Sequence, residues 1–365
     1  MKKTKNANAN ILVVGDLHLG VKRDDNWIYE YQYEALTKVA NYAKENSIHT
    51  IVFTGDVFDV RNSITQITMN RIRTQVMPLF EEFHIIAIVG NHDLKHRERI
   101  QPNSLDEILG YYHNVTVVNT PTTIMVDGTV PMDFIPWICN ENRELVNEFI
   151  KESKSKFCVG HFELTGYYFY TGLKSSGMEN DFLSNYAQVF SGHYHTISTG
   201  DNVLYVGTPY TLTTGDANDK RGVWDVELSA DGTCDYHFIE NDIMNHVKIQ
   251  FDADTFTAQD AQQYTNKHVD VNIIKRDSSK QKMNVNIMEQ LLLDSGVHSL
   301  KITDTINYDG IELVNGDDVI IKDNRVLVDE YINQLECDTE NKVQIKKLFE
   351  TMFYEAVKLK AEVKS

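Results

Sequence analysis

The chain has 365 residues, of which 42% are apolar and 24% charged, so it can bury a sizeable core and is not broadly disordered. Its 35 basic and 53 acidic residues give a net charge of −18, which taken alone argues against a nucleic-acid-binding protein because phosphate contacts need cations. The average hides an asymmetry, since residues 1–100 hold 13 basic and 12 acidic residues, a net charge of +1.

The N-terminus and the cysteines indicate the compartment. The apolar run after the first lysines is short and ends at Gly15, which excludes a signal peptide or a membrane span there. The 4 cysteines are scattered without a CxxC pair, as expected for reduced thiols rather than a disulfide scaffold or a zinc ribbon. We therefore expect a cytoplasmic protein that does not engage a membrane.

Short apolar runs alternate with amphipathic helical patterns through about residue 160, which favours an α/β fold. The predicted elements, in chain order, are a strand at Ile11–Val14, a helix at Tyr29–Asn46, a strand at Thr50–Thr54, a helix at Thr65–Phe83, a strand at Ile85–Val89, a helix at Asn142–Lys151 and a strand at Phe157–Val159. Further strands follow at Ala187–Phe190, Val203–Val206, Gly222–Leu228 and Tyr236–Ile239. We expect this later group to form a second, mostly antiparallel sheet packed on the first.

The pattern changes near residue 245. A strand at Val269–Ile274, a helix at Met283–Asp294 and a strand at Ser299–Thr303 predict a small α+β domain. Two helices follow at Arg325–Gln334 and Lys342–Lys364, the second with apolar residues at a spacing of three to four. The predicted organisation is a first domain at 1–245, a small domain at 246–322 and C-terminal helices at 323–365.

Five of the predicted strands run into a glycine and then into polar side chains. These motifs are Gly15-Asp16-Leu17-His18, Gly55-Asp56-Val57-Phe58-Asp59, Gly90-Asn91-His92-Asp93, Gly160-His161 and Gly192-His193-Tyr194-His195. Binding sites of open α/β sheets form at the carboxyl ends of strands, so we expect the five motifs to converge. Carboxylate, imidazole and amide ligands together suit Mn²⁺, Fe²⁺ or Zn²⁺. Any one motif is more often a turn or a cap, but the ordered set of five favours a metal site.

This order of motifs resembles that of the calcineurin-like metallophosphoesterases over roughly residues 10–240. The resemblance implies a two-sheet sandwich flanked by helices and two divalent ions, Mn²⁺ or alternatively Mg²⁺. It implies that Asp16, His18, Asp56 and His195 hold one ion, that Asp56 bridges, and that Asn91, His161 and His193 hold the second. It further implies that His92 is a catalytic histidine that binds no metal, with Asp59 and Asp93 positioning His92 or the ligands.

The segments Val203–Tyr210 and Gly215–Val223 resemble those of SbcD-type double-strand-break repair nucleases, although a plain β-hairpin connection is the alternative. Compact length brings the chain closest to the nuclease subunits of phage recombination endonucleases, which would act in the cytoplasm of the infected host. The resemblance implies double-strand exonuclease and single-strand endonuclease activity, a homodimer, and an SbcC-like SMC/ABC-type coiled-coil ATPase partner. Residues 246–322 would then cap the DNA and 323–365 would bind the ATPase. The chain itself has no Walker-type GxxxxGK[ST] motif.

Basic residues near two of the motifs are candidate DNA contacts, although an ordinary solvated surface is the alternative for each. These residues are Arg61, Arg71, Arg73, Lys95, Arg97 and Arg99. The aromatic run Tyr167–Tyr170 could stack on an unpaired base, with packing under a loop as the alternative.

Two further readings of the whole chain remain. A stand-alone phosphoesterase acting on nucleotides or phosphoproteins is the main alternative, because the motifs alone do not select a substrate. A metal-binding scaffold without activity is disfavoured, because His92 and every expected ligand are present. Setting aside the four motif aspartates leaves residues 1–100 with 13 basic and 8 acidic residues, a net charge of +5. We therefore expect weak DNA binding by this subunit alone.

Overall fold

The computed structural model describes residues 8–170, 173–251, 256–274 and 279–305. The predicted helices at Arg325–Gln334 and Lys342–Lys364 lie outside the described residues. The strands are β1 (Asn8–Val14), β2 (Thr50–Phe53), β3 (His84–Ile88), β4 (Leu94–His96), β5 (Arg99–Asn103), β6 (Val115–Val118), β7 (Thr122–Val126), β8 (Val130–Ile135), β9 (Phe157–His161), β10 (Tyr168–Tyr170), β11 (Leu173–Lys174), β12 (Gln188–Gly192), β13 (Ser198–Gly200), β14 (Val203–Tyr205), β15 (Gly222–Ser229), β16 (Cys234–Glu240), β17 (His246–Phe251), β18 (His268–Ile274) and β19 (Ser299–Thr305).

The α-helices are Val21–Asp24, Asn26–Glu45, Gln66–Arg71, Met77–Leu79, Ser104–Ile108, Arg143–Glu152, Ala258–Gln262 and Ser279–Asp294, and 3₁₀ turns lie at Asp181–Leu183 and Thr214–Asp216. Asp25 caps the helix at Asn26–Glu45, because its side chain accepts a hydrogen bond from the Ile28 N–H at 3.2 Å. The predicted helix at Thr65–Phe83 is present from Gln66 to Leu79, with a π-helical stretch at Ile72–Val76 in its middle. Pro78 lies two residues after that stretch, and a proline lacks the N–H and crowds the preceding turn, which accounts for the widened backbone.

Two six-stranded sheets form the body of the protein. The first has the order β16-β15-β1-β2-β3-β6, with β1, β2, β3 and β6 parallel and β15 and β16 antiparallel. The second has the order β13-β14-β12-β9-β8-β7, in which β14, β12, β9 and β8 are parallel and only the edge pairs are antiparallel. This α/β sandwich agrees with the predicted fold class.

The expectation of a mostly antiparallel second sheet made from residues 186–240 is wrong. Strands β15 and β16 belong to the first sheet, and the second sheet recruits β7, β8 and β9 from earlier in the chain. The physical reason is that strand order depends on long-range pairing, whereas the sequence pattern reports only local strand character.

Both faces of the first sheet are buried. Along β1, Ile11 and Val13 pack between the two sheets, whereas Leu12 and Val14 pack under the helices on the other side. Side chains alternate across a strand, so a strand buried on both faces must be apolar at every position. The run Ile-Leu-Val-Val therefore becomes a central strand of the first sheet, and this position fixes the end of the strand, where the first polar motif begins.

Strands β17, β18 and β19 form a separate three-stranded parallel sheet with its own apolar cluster. It contacts the first domain through Trp27, whose ring stacks on His298 at 4.3 Å and whose Nε1–H donates to the Asn266 carbonyl at 2.7 Å. The domain bounds at 245 and 322 remain predictions. Across the part of the chain that the structure describes, no helix is long and apolar enough to cross a membrane.

Candidate metal centre

All seven predicted metal ligands converge at the carboxyl ends of the parallel strands. Strands β1, β2 and β3 bring their motifs from the first sheet, and β9 and β12 bring theirs from the second. Three of these residues, His18, Asp56 and His193, have positive φ angles of 45°, 47° and 88°. Such angles are strained for residues other than glycine and concentrate at functional sites.

Close packing of the motif backbones depends on glycine. Gly55 has a φ of +118°, and a Cβ atom there would lie 2.3 Å from Nδ1 of His161. A larger residue would therefore push a predicted ligand out of place as well as strain the backbone. This position links the end of the first sheet to that of the second.

The first cluster contains Asp16, His18 and His195, whose ligand atoms lie within 4.8 Å of one another. Nε2 of His18 and Nε2 of His195 are 3.1 Å apart. The Asp59 carboxylate lies 3.2 Å from Nδ1 of His18, on the far side of the ring, and so holds Nε2 toward the cluster.

The second cluster contains Asp56, His161 and His193, with Asn91 between the two rings. The Asn91 Oδ1 atom lies 3.0 Å from Nε2 of His161 and 2.8 Å from Nδ1 of His193. Nδ1 of His161 donates to the Thr54 carbonyl at 2.9 Å, so Nε2 is the atom of this ring that can bind an ion. Burial opposes a charge on His161, but Asp56 and Asp16 outweigh it and raise its pKa to about 9, so ion binding at Nε2 would release a proton.

Asp56 belongs to the second cluster and also faces His18 of the first. Its Oδ2 atom is 3.4 Å from Nε2 of His161 and 4.0 Å from Nε2 of His18. Burial opposes the ionisation of Asp56, but His161 and His18 outweigh that effect and hold its pKa well below the usual range. A carboxylate that stays ionised between two groups of imidazoles can serve both at once.

Burial and close packing also shift the pKa values of three other predicted ligands. Burial raises the pKa of Asp16 to about 6, and burial with the neighbouring His161 lowers that of His193 to about 3. Burial and the proximity of His18 lower the pKa of His195 to about 4. Ionised carboxylates beside neutral imidazoles are the form that binds divalent ions, and the oxygen and nitrogen donors fit Mn²⁺, Fe²⁺ or Zn²⁺.

His92 lies at the rim, half-buried. Its backbone N–H donates to Oδ1 of Asp56 at 2.7 Å, and its Nδ1 lies 2.7 Å from the Asp59 carbonyl oxygen. A carbonyl only accepts, so Nδ1 carries a proton and Nε2 is the atom available for chemistry.

Asp93 is placed differently from Asp59. It is buried behind the centre, and its oxygens accept the N–H groups of Gly90 at 2.9 Å and Phe58 at 3.1 Å. Burial and the charge of Asp56 raise its pKa to about 7. Asp93 thus joins two motif loops, and among the described residues its carboxylate forms no hydrogen bond with the His92 ring.

Two residues of the site had no role in the sequence analysis. Arg221 is only 1% exposed, and it donates to the His195 carbonyl and, at 2.8 Å, to Oγ1 of Thr208. Asp216 lies 3.4 Å from the Arg221 guanidinium and 3.9 Å from Nδ1 of His195. This pair fixes both the backbone and the ring of His195. A single arginine before a strand gives no sequence signal of burial.

A third overlooked residue is Trp137, which follows β8. Its ring centroid is 5.1 Å from that of His193 and 5.9 Å from that of His161. Trp137 therefore walls one side of the second cluster. The signal missed was an aromatic residue just past the end of a strand in the second sheet.

The candidate DNA contacts fall into three groups. Arg71 is engaged within the protein, where it donates to the Asp24 carbonyl at 3.2 Å and lies over the Tyr29 ring at 4.0 Å. Arg73, Lys95 and Arg99 are exposed. Arg97 is exposed as well, and together with the half-buried Arg61 it lines a cavity that adjoins Asn91 and His193.

The residues of the predicted aromatic run Tyr167–Tyr170 differ in their exposure to solvent. Tyr167 is buried and donates to the Gly200 carbonyl at 2.8 Å, so it belongs to the core. Phe169 is exposed. The described cysteines, Cys139, Cys158 and Cys234, are free thiols, and Cys337 lies outside the described residues.

Comparison with known proteins identifies the class to which this fold and site belong. A model of the calcineurin-like phosphoesterase family matches residues 9–196, which include all five motifs, and the chain belongs to that family. The fold and its donor set therefore imply bound divalent metal ions.

Two relatives narrow the comparison. The chain is similar to "Exonuclease subunit 1" of Enterobacteria phage T4, at 40% identity over 91% of this chain and 94% of that protein. It is also similar to "DNA double-strand break repair protein Mre11" of Sulfurisphaera tokodaii, at 24% identity over 52% of this chain and 50% of that protein.

Proposed function

We propose that this protein is the nuclease subunit of a DNA repair and recombination complex and hydrolyses DNA phosphodiesters with two divalent ions, Mn²⁺ in preference to Mg²⁺. The observation that carries the proposal is the pair of ligand clusters joined at Asp56, with His92 at their rim. The near full-length similarity to a phage exonuclease subunit supports DNA as the substrate.

The ligands divide between the two ions by cluster. Asp16, His18, Asp56 and His195 would hold one ion, and Asp56, Asn91, His161 and His193 would hold the other. When bound, the ions would supply Lewis acidity that polarises the phosphodiester and acidifies the attacking water. Asp59 and the Asp216–Arg221 pair orient His18 and His195, so that the donor atoms are in place before an ion binds.

His92 would act as the general acid. Its Nδ1–H is fixed on the Asp59 carbonyl, which leaves Nε2 to deliver a proton to the leaving oxygen of the cut strand. Asp93 would hold the loop that carries Asn91 and His92 against the loop after β2.

DNA would approach along the exposed basic residues Arg73, Lys95 and Arg99 and reach Arg61 and Arg97 beside the centre. We include double-strand exonuclease and single-strand endonuclease activity, a homodimer, and an SbcC-like coiled-coil ATPase that would supply much of the DNA affinity. Residues 323–365 would bind that ATPase.

The substrate is tested with purified protein and Mn²⁺ on three substrates: end-labelled duplex DNA, a cyclic nucleotide and p-nitrophenyl phosphate. We expect cleavage of DNA. Turnover of the small substrates with intact DNA would instead support a stand-alone phosphoesterase.

The partner is tested by deleting residues 325–365. The truncated chain should lose co-purification with the ATPase and keep manganese-dependent nuclease activity. An unchanged complex would refute the role of the C-terminal segment and leave the nuclease assignment intact.

A further inference from the structure

The long helix of the first domain, Asn26–Glu45, carries a buried amide among apolar side chains. This amide belongs to Gln32, which is only 1% exposed, and the other buried residues of the helix include Ile28, Leu36 and Val39. Burying an amide costs free energy unless its polar atoms find partners. An apolar side chain would therefore serve packing alone at least as well, and the contacts of Gln32 indicate what the amide does.

The amide of Gln32 contacts the first motif loop. Its Nε2 atom donates to the Leu17 carbonyl at 3.0 Å and to the His18 carbonyl at 3.3 Å. The hydroxyl of Tyr210 donates to the same Leu17 carbonyl at 2.6 Å. Tyr210 is also 1% exposed and comes from the connection between β14 and β15. Two buried side chains from distant parts of the chain therefore meet at one carbonyl of a loop that carries a predicted metal ligand.

The N–H groups of the same loop are held as well. Those of Leu17 and His18 both donate to the Asp56 carbonyl, at 3.1 Å and 2.9 Å. His18 has a φ of 45°, a strained conformation that persists only where the surrounding structure holds it. The backbone of Leu17 and His18 is thus fixed through its N–H groups by Asp56 and through its carbonyls by Gln32 and Tyr210.

The conformation of this backbone decides where the His18 ring lies. Its Nε2 atom is 3.1 Å from that of His195, and Asp59 contacts the ring at Nδ1. Asp59 restrains the orientation of the ring, whereas the backbone contacts restrain the position from which the side chain starts. Donor atoms of a metal site must be held to within about 0.5 Å of the binding geometry. The support of the Leu17 carbonyl therefore bears on ion affinity.

We propose that Gln32 and Tyr210 are positioning residues that set the ion affinity of the first cluster. They act through the backbone of Leu17 and His18 and contact neither the ion nor the substrate. The inference rests on the proposed role of His18 as a ligand. It predicts that loss of either donor weakens binding at the first cluster and leaves the second cluster unchanged.

The test titrates metal-free protein with Mn²⁺ by calorimetry. His18→Ala and His193→Ala assign the binding steps to the first and the second cluster. Gln32→Met removes the amide at nearly constant length, and Tyr210→Phe removes a single oxygen atom. Each should weaken the step that His18→Ala abolishes by about tenfold, the lower end of what loss of an outer partner of a ligand costs.

Tyr42→Phe is the matched control. Tyr42 lies on the same helix as Gln32, and its hydroxyl donates to Asp225, which belongs to neither cluster, at 2.8 Å. This variant should bind both ions like the wild type. Urea unfolding of the metal-free variants measures any general loss of stability separately. Electron paramagnetic resonance gives a second measure, because a coupled Mn²⁺ pair forms only when both clusters are filled.

Equal weakening of both steps by Gln32→Met and Tyr210→Phe would show a general structural role and overturn the inference. Binding of both ions as in Tyr42→Phe would overturn it too, while leaving the ligand assignment of His18 intact. Two unchanged steps in His18→Ala would instead refute that assignment, and the inference would fail with it.

Discussion

His92 and His161 both hold Nδ1 against a backbone carbonyl, and His92 differs in lying outside the two clusters that contain Asp16 and Asp56. The Nδ1 atom of His92 pairs with the Asp59 carbonyl, and its backbone N–H donates to Asp56. His92 also forms a third group with His18 and Asp59, whose possible ligand atoms lie within 4.8 Å of one another, so the metal content of a His92 variant shows whether this ring holds an ion. This distinction makes a single substitution informative.

We predict that His92→Ala keeps both metal ions and loses roughly 10²–10⁴-fold in DNA cleavage, the usual contribution of a general acid. Elemental analysis and the initial rate on labelled DNA measure the two effects. Asp56→Ala is the contrast, because it removes the carboxylate shared by both clusters and should lose metal as well. Wild-type turnover by His92→Ala with two ions bound would exclude the acid role.

Some residues of the site could be predicted from the sequence and others could not. All seven expected ligands converge, because each follows a recognisable strand-glycine motif. Arg221 and Trp137 were missed, because their contribution depends on burial and on rings brought from other strands. Arg71 was placed near DNA on charge alone, although its guanidinium is engaged by Asp24 and Tyr29.

At the level of elements, the connection from β14 to β15 supports the ligand loop that follows β12. Asp216 in its short 3₁₀ turn accepts the N–H groups of Leu212 and Thr213, each at 2.9 Å, and pairs with Arg221. Burial opposes the charge of Asp216, but Arg221 and His195 lower its pKa. The connection is therefore held by a buried ion pair.

We predict that Asp216→Asn lowers the free energy of unfolding by up to about 3 kcal/mol, because it removes the more deeply buried of the two carboxylates that pair with Arg221 and leaves only Asp219. It should also weaken metal retention at the first cluster, since His195 loses a support. Urea unfolding and elemental analysis measure both. Asp219→Asn is the control and should cost less, because its side chain is 24% exposed. Equal losses in the two variants would contradict the assignment.

The junction between the first domain and the three-stranded sheet contains a buried neutral histidine. Lys22 donates to Nε2 of His246 at 3.0 Å, and Nδ1 of His246 lies 3.1 Å from Oγ1 of Thr211. Burial, then Lys22 and His268, lower the pKa of His246 to about 3, against a weak opposing effect of Asp216. Protonation would place a second cation beside the Lys22 ammonium.

We predict an acid-dependent loss of stability from this junction. Between about pH 6.5 and pH 3 the unfolded chain binds a proton that the folded His246 refuses, so stability falls as pH falls. Urea unfolding of wild type and His246→Gln across this window isolates the effect, since other histidines titrate in both. Parallel pH profiles for the two proteins would count against it.

Predicted and observed elements agree best where the pattern is strong. Strands β1, β2 and β3 and the long helix at Asn26–Glu45 were anticipated to within a few residues. Strands β6, β7 and β8 were missed, because threonines, Pro131 and Gly128 break their apolar pattern. Local sequence patterns also could not predict that β15 pairs with β1, which lies more than 200 residues earlier in the chain.

On the scale of the whole molecule, the metal centre joins two sheets. Three motifs come from the first sheet and two from the second, so ions would cross-link them. Binding to the folded state alone stabilises it, by about 2.7 kcal/mol at a free-ion concentration 100 times the dissociation constant.

We therefore predict that chelation lowers the melting temperature and that Mn²⁺ restores it in a concentration-dependent way. Differential scanning calorimetry measures the shift. Asp56→Ala is the control and should respond to neither treatment. An unchanged melting temperature after verified metal removal would show that the sheets hold together without help from the ions.

The pairing of β1 with β15 also has a consequence for synthesis on the ribosome. Asp16 emerges well before His195, and Arg221, which holds His195, emerges later still together with β15. A growing chain therefore exposes its early carboxylates and imidazoles without a complete centre. We therefore expect hydrolytic activity to appear only after β15 has been synthesised and has paired with β1. Chains that are still incomplete should be inactive.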